Sequence, residues 1–348
     1  MGRADRPSLL RYRDEDDVRV RAGKGSRPRT RRRPVHDAAP EAFVFNVDRG
    51  RYGCLLGSAS AGGAGGEVVT AMKARELGRN SVVVGDRVAL AGDTSGTAGS
   101  LARIVRVEER SSELRRSPDD TDPAERVVVA NAQQMLIVCA LADPEPKTRF
   151  IDRCLVAAYD AGLAPILVLT KSDLASPRKI REFYGPLELP MITTRQPLPP
   201  VTLAKLRKAL AGKLSVCIGQ SGVGKSTLVN ALIPDADRAV GIVNAVTGKG
   251  RHTSSSAVAL QLPGPDANGW LIDTPGIRGF GLGHISPQRV VAAFGDLTEG
   301  TAACPSGCDH LSPTCGLDDW AASQGSQAVA RLDSLRRLLR SRDAAEQQ

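Results

Sequence analysis

Four stretches of the chain are apolar along their whole length, and the segments between them carry apolar residues at helical spacing. QMLIVCAL (134–141), APILVLT (164–170), LPMITT (189–194) and LSVCIG (214–219) read as buried strands. Between them RFIDRCLVAAYDAG, PRKIREFYG and TLAKLRKALAG read as helices, the first stopped by Gly162. Such an alternation predicts a parallel sheet covered on both faces. Upstream the pattern changes. From about Ala42 to Arg116, FVFNV, RYGCLL, GEVVTAM, SVVVGDRVALA and LARIVRVEE are short β-rich runs between Gly, Ser and Asp turns. Five such strands suit a small closed barrel. The OB type is the commonest five-stranded choice, although an SH3-like barrel gives a similar string. In VGDRV, Gly85 and Asp86 are expected to supply the unusual dihedrals of a tight turn. Acidic, proline-containing SPDDTDPAER (117–126) reads as a connector, and from about Val290 on the chain reads as helical.

With 348 residues there is room for two or three cores. The expected divisions are a basic disordered tail over 1–40, an OB-fold barrel over 41–116, an α/β P-loop domain over 127–283 and a helical metal-binding domain over 284–348. Aromatic residues are only 3% of the chain, so Val, Leu, Ile and Ala must build these cores. The charged start has no secretory-signal pattern and the apolar runs are too short to span a bilayer. A cytoplasmic location, no membrane partner and a monomer are therefore expected. The formal net charge of +9 is uneven: residues 1–34 hold twelve Lys and Arg against five acids. That tail reads either as a solubilising extension or as an arm for a polyanion.

The strand LSVCIG runs into GQSGVGKS and then into a helical stretch, the setting a phosphate-binding loop requires. Gly219, Gln220, Ser221, Gly222, Val223 and Gly224 form the loop whose N–H groups turn towards phosphates. Lys225 is expected on the β- and γ-phosphates, Ser226 on Mg²⁺, and Thr227 in the first helical turn. Further on, WLIDTPG ends an apolar strand at Asp273, a carboxylate placed for the Mg²⁺ shell, and Gly276 can sense the γ-phosphate through its N–H. Between these motifs GKGRHTSSS is suited to a first switch, with Thr253 or Ser254 as its hydroxyl.

A third motif precedes the other two. In LTKSDL, a buried strand ends in Thr170, Lys171 and Asp173, the pattern that reads guanine. The Asp173 carboxylate accepts from the N1–H and 2-amino groups, which adenine does not offer in that geometry, and the Lys171 stem covers the base. Two such bonds at roughly 1.5–3 kcal/mol each favour guanine by about a hundredfold or more. Thr170 stands where Asn is usual, which is expected to loosen the tie to the phosphate side. TTR at 193–195 is a candidate for the loop facing guanine O6. Because the guanine reader comes before the phosphate loop, the GTP-binding domain is expected to be circularly permuted. The DTPG switch would then run directly into the C-terminal module.

Seven cysteines without an export signal argue against a disulfide framework. Cys54, Cys139, Cys154 and Cys217 lie in or beside apolar stretches and read as small buried hydrophobes. CPSGCDHLSPTC instead groups Cys304, Cys308, His310 and Cys315, three thiolates and an imidazole suited to one closed, structural Zn²⁺ site. The competing reading is free thiols in a surface loop.

A barrel, a permuted GTPase and a Cys/His segment in that order resemble the bacterial RsgA (YjeQ) family. The residues carrying the resemblance are TKSD, GQSGVGKST, GKGRHTSSS, DTPGIRGFGL and CPSGCDHLSPTC, over about 40–340. It implies a GTPase of late small-subunit assembly, stimulated by the 30S ribosomal subunit, with an OB-fold and a zinc module that contact 16S rRNA and with GTP hydrolysed to GDP. The first two cysteines stand one residue closer than is commoner in that family, and serines follow Thr253 in place of a threonine run. Where many GTPases keep a water-orienting glutamine after DTPG, this chain has Ile277, so turnover alone should be slow, as it is on the order of 10⁻⁴ s⁻¹ even in Ras-like enzymes. His252 is the candidate to position the attacking water, a role the resemblance shares; the alternative is that it contacts RNA or shapes the loop. Two other functions compete with a 30S-stimulated GTPase: a GTP-binding rRNA scaffold with little turnover, and a metal-insertion GTPase.

Overall fold

The structure, a computed structural model, describes residues 36, 38–57, 66–78, 82–116, 126–234, 236, 257–264, 268–274, 280, 282 and 285–343. Most of the expected basic tail, the segment carrying His252, Thr253 and Ser254, and Gly276 lie outside them.

Strands β1 (Glu41–Asp48), β2 (Arg51–Leu56), β3 (Glu67–Lys73), β4 (Arg87–Gly92) and β5 (Ala102–Val107) close into a barrel. β1 pairs antiparallel with β2, β2 with β3, and β4 with β5; β3 and β5 run parallel; β4 returns to β1. The parallel β3–β5 pair and the order 1-2-3-5-4 are those of an OB-fold, which decides against the SH3-like alternative. Ala42, Val44, Cys54, Val69, Ala71, Leu90 and Ile104 fill the interior.

Strand β1 is buried almost throughout because both of its faces are covered. Ala42 and Val44 point into the barrel, whereas Phe43 and Phe45 join the core of the neighbouring domain. The Phe43 ring lies 5.0 Å from that of Trp270. A Cβ on Gly53 would come within 2.7 Å of the Phe45 ring, so the side-chain-free position in β2 makes room for it. β1 also pairs with β12 (Val258–Gln261) at Asn46 and Val258, joining the barrel to the second sheet.

A hairpin of β6 (Glu113–Arg116) and β7 (Arg126–Ala130) flanks the expected connector. β7 was readable as a strand in RVVVA but escapes notice beside the stronger apolar run after it. At the turn before β4, only Gly85 has a positive φ, 95°. A side chain there would collide with the Ala130 carbonyl. Asp86 does not share the unusual dihedral expected of it. Instead its fully buried carboxylate accepts from Val83 N–H at 2.8 Å and from Arg110 Nε and Nη2 at 2.7 and 2.9 Å. A buried carboxylate needs such partners, and this one ties the barrel to the chain that leaves it.

The second sheet runs β10 (Met191–Thr193), β9 (Ala164–Thr170), β8 (Gln134–Ala140), β11 (Leu214–Gly219), β13 (Trp270–Asp273), β12. The first five are mutually parallel, and β12, unforeseen from sequence, is antiparallel at the edge. Helices α1 (Thr148–Asp160), α2 (Arg178–Tyr184), α3 (Pro200–Leu210) and α4 (Lys225–Leu232) belong to this domain. The central pair β8–β11 joins strands on either side of the TKSD segment (170–173), so the permuted order is built into the sheet.

The C-terminal helices are α5 (Pro287–Ala292), α6 (Gly295–Thr298), α7 (Leu317–Gln324) and α8 (Ser326–Asp343). Leu332, Leu335, Leu338 and Leu339 give α8 its buried face. Three of its arginines make contacts within the chain. Arg331 pairs with Asp296, Arg336 with Asp318, and Arg337 with Asp152. No helix among the described residues is long and apolar enough to cross a membrane.

Candidate functional site

The carboxyl ends of β9, β11 and β13 converge, as ligand sites do in open α/β sheets. Beyond β11 the loop 220–224 turns through Gly222 (φ 79°) and Gly224 (φ 89°), backbone conformations that residues with a Cβ adopt only under strain. Gly219 must also lack a side chain, because a Cβ would lie 2.8 Å from the Val138 carbonyl. Val223 is buried beneath the loop, Gln220 is half-buried, and Ser221, Ser226 and Thr227 are exposed. Lys225 opens α4 and makes an ion pair with Asp273, so the phosphate-loop and DTPG motifs meet. Thr274, itself buried, donates its hydroxyl to the Cys217 carbonyl at 2.8 Å and fixes the start of the DTPG segment against β11.

The TKSD motif lies beside them. Thr170 donates to the Val223 carbonyl at 2.6 Å. The tie to the phosphate side, expected to be loosened by the missing Asn, is therefore kept. A hydroxyl on a β-branched residue is long enough because the strand brings the two segments close. Lys171 has φ 58° and its ammonium contacts the Asp143 carbonyl, while Asp173 is exposed. Ser172 N–H donates to the Thr194 carbonyl at 3.1 Å, and Thr194 N–H to the Leu169 carbonyl at 2.7 Å, which brings the 193–195 segment alongside. Sequence reasoning missed the loop after β8, which supplies the Asp143 carbonyl and places Pro144 against Gly222. Its only sequence signal was the DPEP run that ends an apolar strand.

Cys54, Cys139, Cys154 and Cys217 are buried, and burial pushes Cys54 and Cys217 up to about 12 and Cys139 up to about 11. Cys154 is raised in the same way. These groups stay protonated and inert, as small apolar residues do.

The remaining three cysteines gather with a histidine. Cys304 Sγ lies 3.8 Å from Cys315 Sγ and 3.7 Å from His310 Nδ1, and Cys315 Sγ lies 3.7 Å from that nitrogen. With Cys308, all four ligand atoms fall within 4.8 Å of one another. Sulfur ligands at about 2.3 Å from the centre of a tetrahedron have edges of about 3.8 Å, so the spacing fits a metal ion at its centre. His310 sits at φ 63° and gives its N–H to Cys308 Sγ at 3.3 Å. Burial holds its imidazole below the ordinary value against the pull of Asp309, with Arg336 lowering it further, so it is neutral and able to ligate. Arg336 donates to the His310 carbonyl at 3.0 Å while its other nitrogens pair with Asp318, bracing the loop from outside.

The family model of the RsgA GTPase matches residues 107–283, just over half of the chain. A small ribosomal subunit biogenesis GTPase RsgA from Pseudomonas aeruginosa (strain LESB58) is 38% identical over 269 residues, 75% of this chain and 76% of its own. The chain belongs to the RsgA GTPase family. It is accordingly a GTP hydrolase. The RsgA of Pseudomonas fluorescens (strain SBW25) is 36% identical over the same share of this chain. Among solved structures, YjeQ from Thermotoga maritima superposes with a TM-score of 0.62 at 26% identity, covering 87% of this chain and 98% of its own. YloQ, titled a circularly permuted GTPase, has a TM-score of 0.61 at 22% identity over 90% of this chain and 98% of its own, a likeness of fold. The permuted order described above is thus seen in this chain's own sheet, in a fold it shares with that structure.

Proposed function

We propose that this RsgA-family GTPase acts in assembly of the small ribosomal subunit, with the 30S particle stimulating its hydrolysis of GTP to GDP and phosphate. The observation that carries the reading is the meeting of Thr170–Asp173, Gly219–Thr227 and Asp273–Thr274 in one site, in a chain whose relatives bear that name. Asp173 reads the guanine edge and Lys171 covers the base. The N–H groups of the Gly219–Gly224 loop and the start of α4 hold the phosphates. Lys225 exchanges its Asp273 partner for the β- and γ-phosphates, which releases Asp273 towards Mg²⁺. Ser226 and Thr253 or Ser254 would hold that ion with the Asp273 carboxylate behind them, and it would supply charge neutralisation for the transferred phosphoryl group. Gly276 senses the γ-phosphate and His252 positions the water. Cys304, Cys308, His310 and Cys315 hold a structural Zn²⁺, leaving no open position for chemistry. The barrel exposes Arg51, Arg75, Arg87 and Arg103, which suit contact with 16S rRNA phosphates. The protein works in the cytoplasm, where that rRNA is assembled.

Multiple-turnover phosphate release, measured with and without purified 30S subunits, tests the proposal. Acceleration of ~10-fold or more is expected, given what groups supplied in trans contribute to other GTPases. Turnover indifferent to 30S, or ATP cleaved as readily as GTP, would overturn it; tight 30S binding without turnover would make the chain a scaffold instead. In the same assay His252→Ala should lower stimulated turnover with GTP affinity kept, and unchanged turnover removes His252 from the chemistry.

A further inference from the structure

Two consecutive residues of α1 reach to different neighbours. Arg153 donates through Nε to the Phe280 carbonyl at 2.8 Å, and its Nη2 donates to the same oxygen. Asp152, only 4% exposed, accepts from Arg337 of α8 at 3.3 Å and lies 3.0 Å from the Tyr184 hydroxyl. Arg337 in turn stacks over the rings of Phe183 at 4.1 Å and Tyr184 at 5.2 Å. Adjacent helical residues point about 100° apart, so one turn of α1 can hold two elements at once.

What those two elements are gives the arrangement its meaning. Phe280 lies six residues beyond Thr274, on the chain leaving the DTPG segment, with its ring buried in the core. From there the chain passes through buried Leu282 and Ile285 into α5, where Arg289 pairs with Asp160 at the other end of α1 at 2.9 Å. α8 packs against α7, and its Arg336 braces the Cys/His cluster. α1 also packs directly against α8. Withdrawing Arg337 would leave a buried carboxylate without its counter-charge, so the two helices move together.

We propose that α1 is the relay between the nucleotide site and the metal-binding C-terminal module. Arg153 is the positioning residue that takes up displacement of the DTPG exit, and Asp152 is the one that passes it to α8. This rests on the reading of residues 273–276 as the γ-phosphate contact. A repositioned DTPG segment pulls on Phe280, Phe280 pulls on Arg153, and α8 follows α1 with the metal cluster attached.

Hydrogen exchange of the full chain, loaded either with a non-hydrolysable GTP analogue or with GDP, tests the relay without ribosomal particles. Exchange in α8 should differ between the two states by about fivefold or more, the range of ordinary allosteric coupling. Arg153→Met should abolish that difference while nucleotide affinity, metal content and melting temperature stay near wild type. Arg153→Lys, which can still donate one hydrogen bond to Phe280, should restore part of it. It also serves as the test if the methionine variant does not fold. Asp152→Asn should speed exchange of α8 in both states and, like Arg153→Met, abolish the difference between them. A methionine variant that keeps the wild-type difference overturns the relay. Wild-type protein that binds the analogue with no change in α8 also overturns it and leaves the site reading standing, whereas failure to bind guanine nucleotides at all sinks both.

Discussion

At Thr170 a single hydroxyl joins the base-reading strand to the phosphate loop. Its bond to the Val223 carbonyl, 2.6 Å long and buried, does from a shorter side chain what an asparagine amide would do. Thr170→Val keeps the shape and removes the donor. A buried carbonyl left without its partner costs about 1–3 kcal/mol. Because the loop is held in shape by that bond, GTP and GDP should each bind roughly 5- to 100-fold more weakly, as read by a fluorescent-nucleotide titration, with Thr170→Asn recovering most of the loss. Equal affinity in the valine variant would show that the loop keeps its shape without the bond. At this scale the sequence told which side chains belong to the site but not which bonds they make. Lys225 and Asp273 are 48 positions apart, and their ion pair exists because β11 and β13 are neighbours.

Among the elements, β1 carries the most. Its alternation places Ala42 and Val44 in one core and Phe43 and Phe45 in another, so one strand closes the barrel and also seals it to the GTPase sheet. The sequence EAFVFNVD shows only an apolar strand; which residues face which core depends on a second sheet lying behind it. The turn before β4 is the other half of that joint. Arg110 is 15% exposed and grips Asp86 with two nitrogens, while its third reaches Glu113 at 3.0 Å. Asp86→Asn should cost about 3 kcal/mol, the low end for breaking a buried pair, because Glu113 still holds the guanidinium. Urea unfolding would read this as a lowered midpoint. A loss under about 0.5 kcal/mol, the level of an ordinary surface change, would show that the pair contributes little.

For the molecule as a whole, a metal held by the Cys/His cluster is expected to decide whether the last helices form a module. The segment from Cys304 to Cys315 has few apolar residues, and α8 touches it through Arg336. Removing the metal with a strong chelator should lower the melting temperature and expose three reactive thiols per chain. The other four thiols, buried and with raised pKa values, should stay unreactive until the fold opens. Seven fast thiols on chelation would mean that the metal holds the entire chain together. By itself, the sequence determined the local pieces: the apolar strands, the helices between them, the glycine loop, the TKSD and DTPG segments, and the Cys/His group. Each is legible because its signal lies within some ten neighbouring residues, in spacing and residue type. Only the tertiary structure decided how the pieces meet: the OB closure through parallel β3 and β5, the double burial of β1, the Thr170 tie, and three arginines of α8 paired within the chain. These contacts join residues far apart in the chain, and a pairing of that kind is fixed by which surfaces pack best, which no local pattern records.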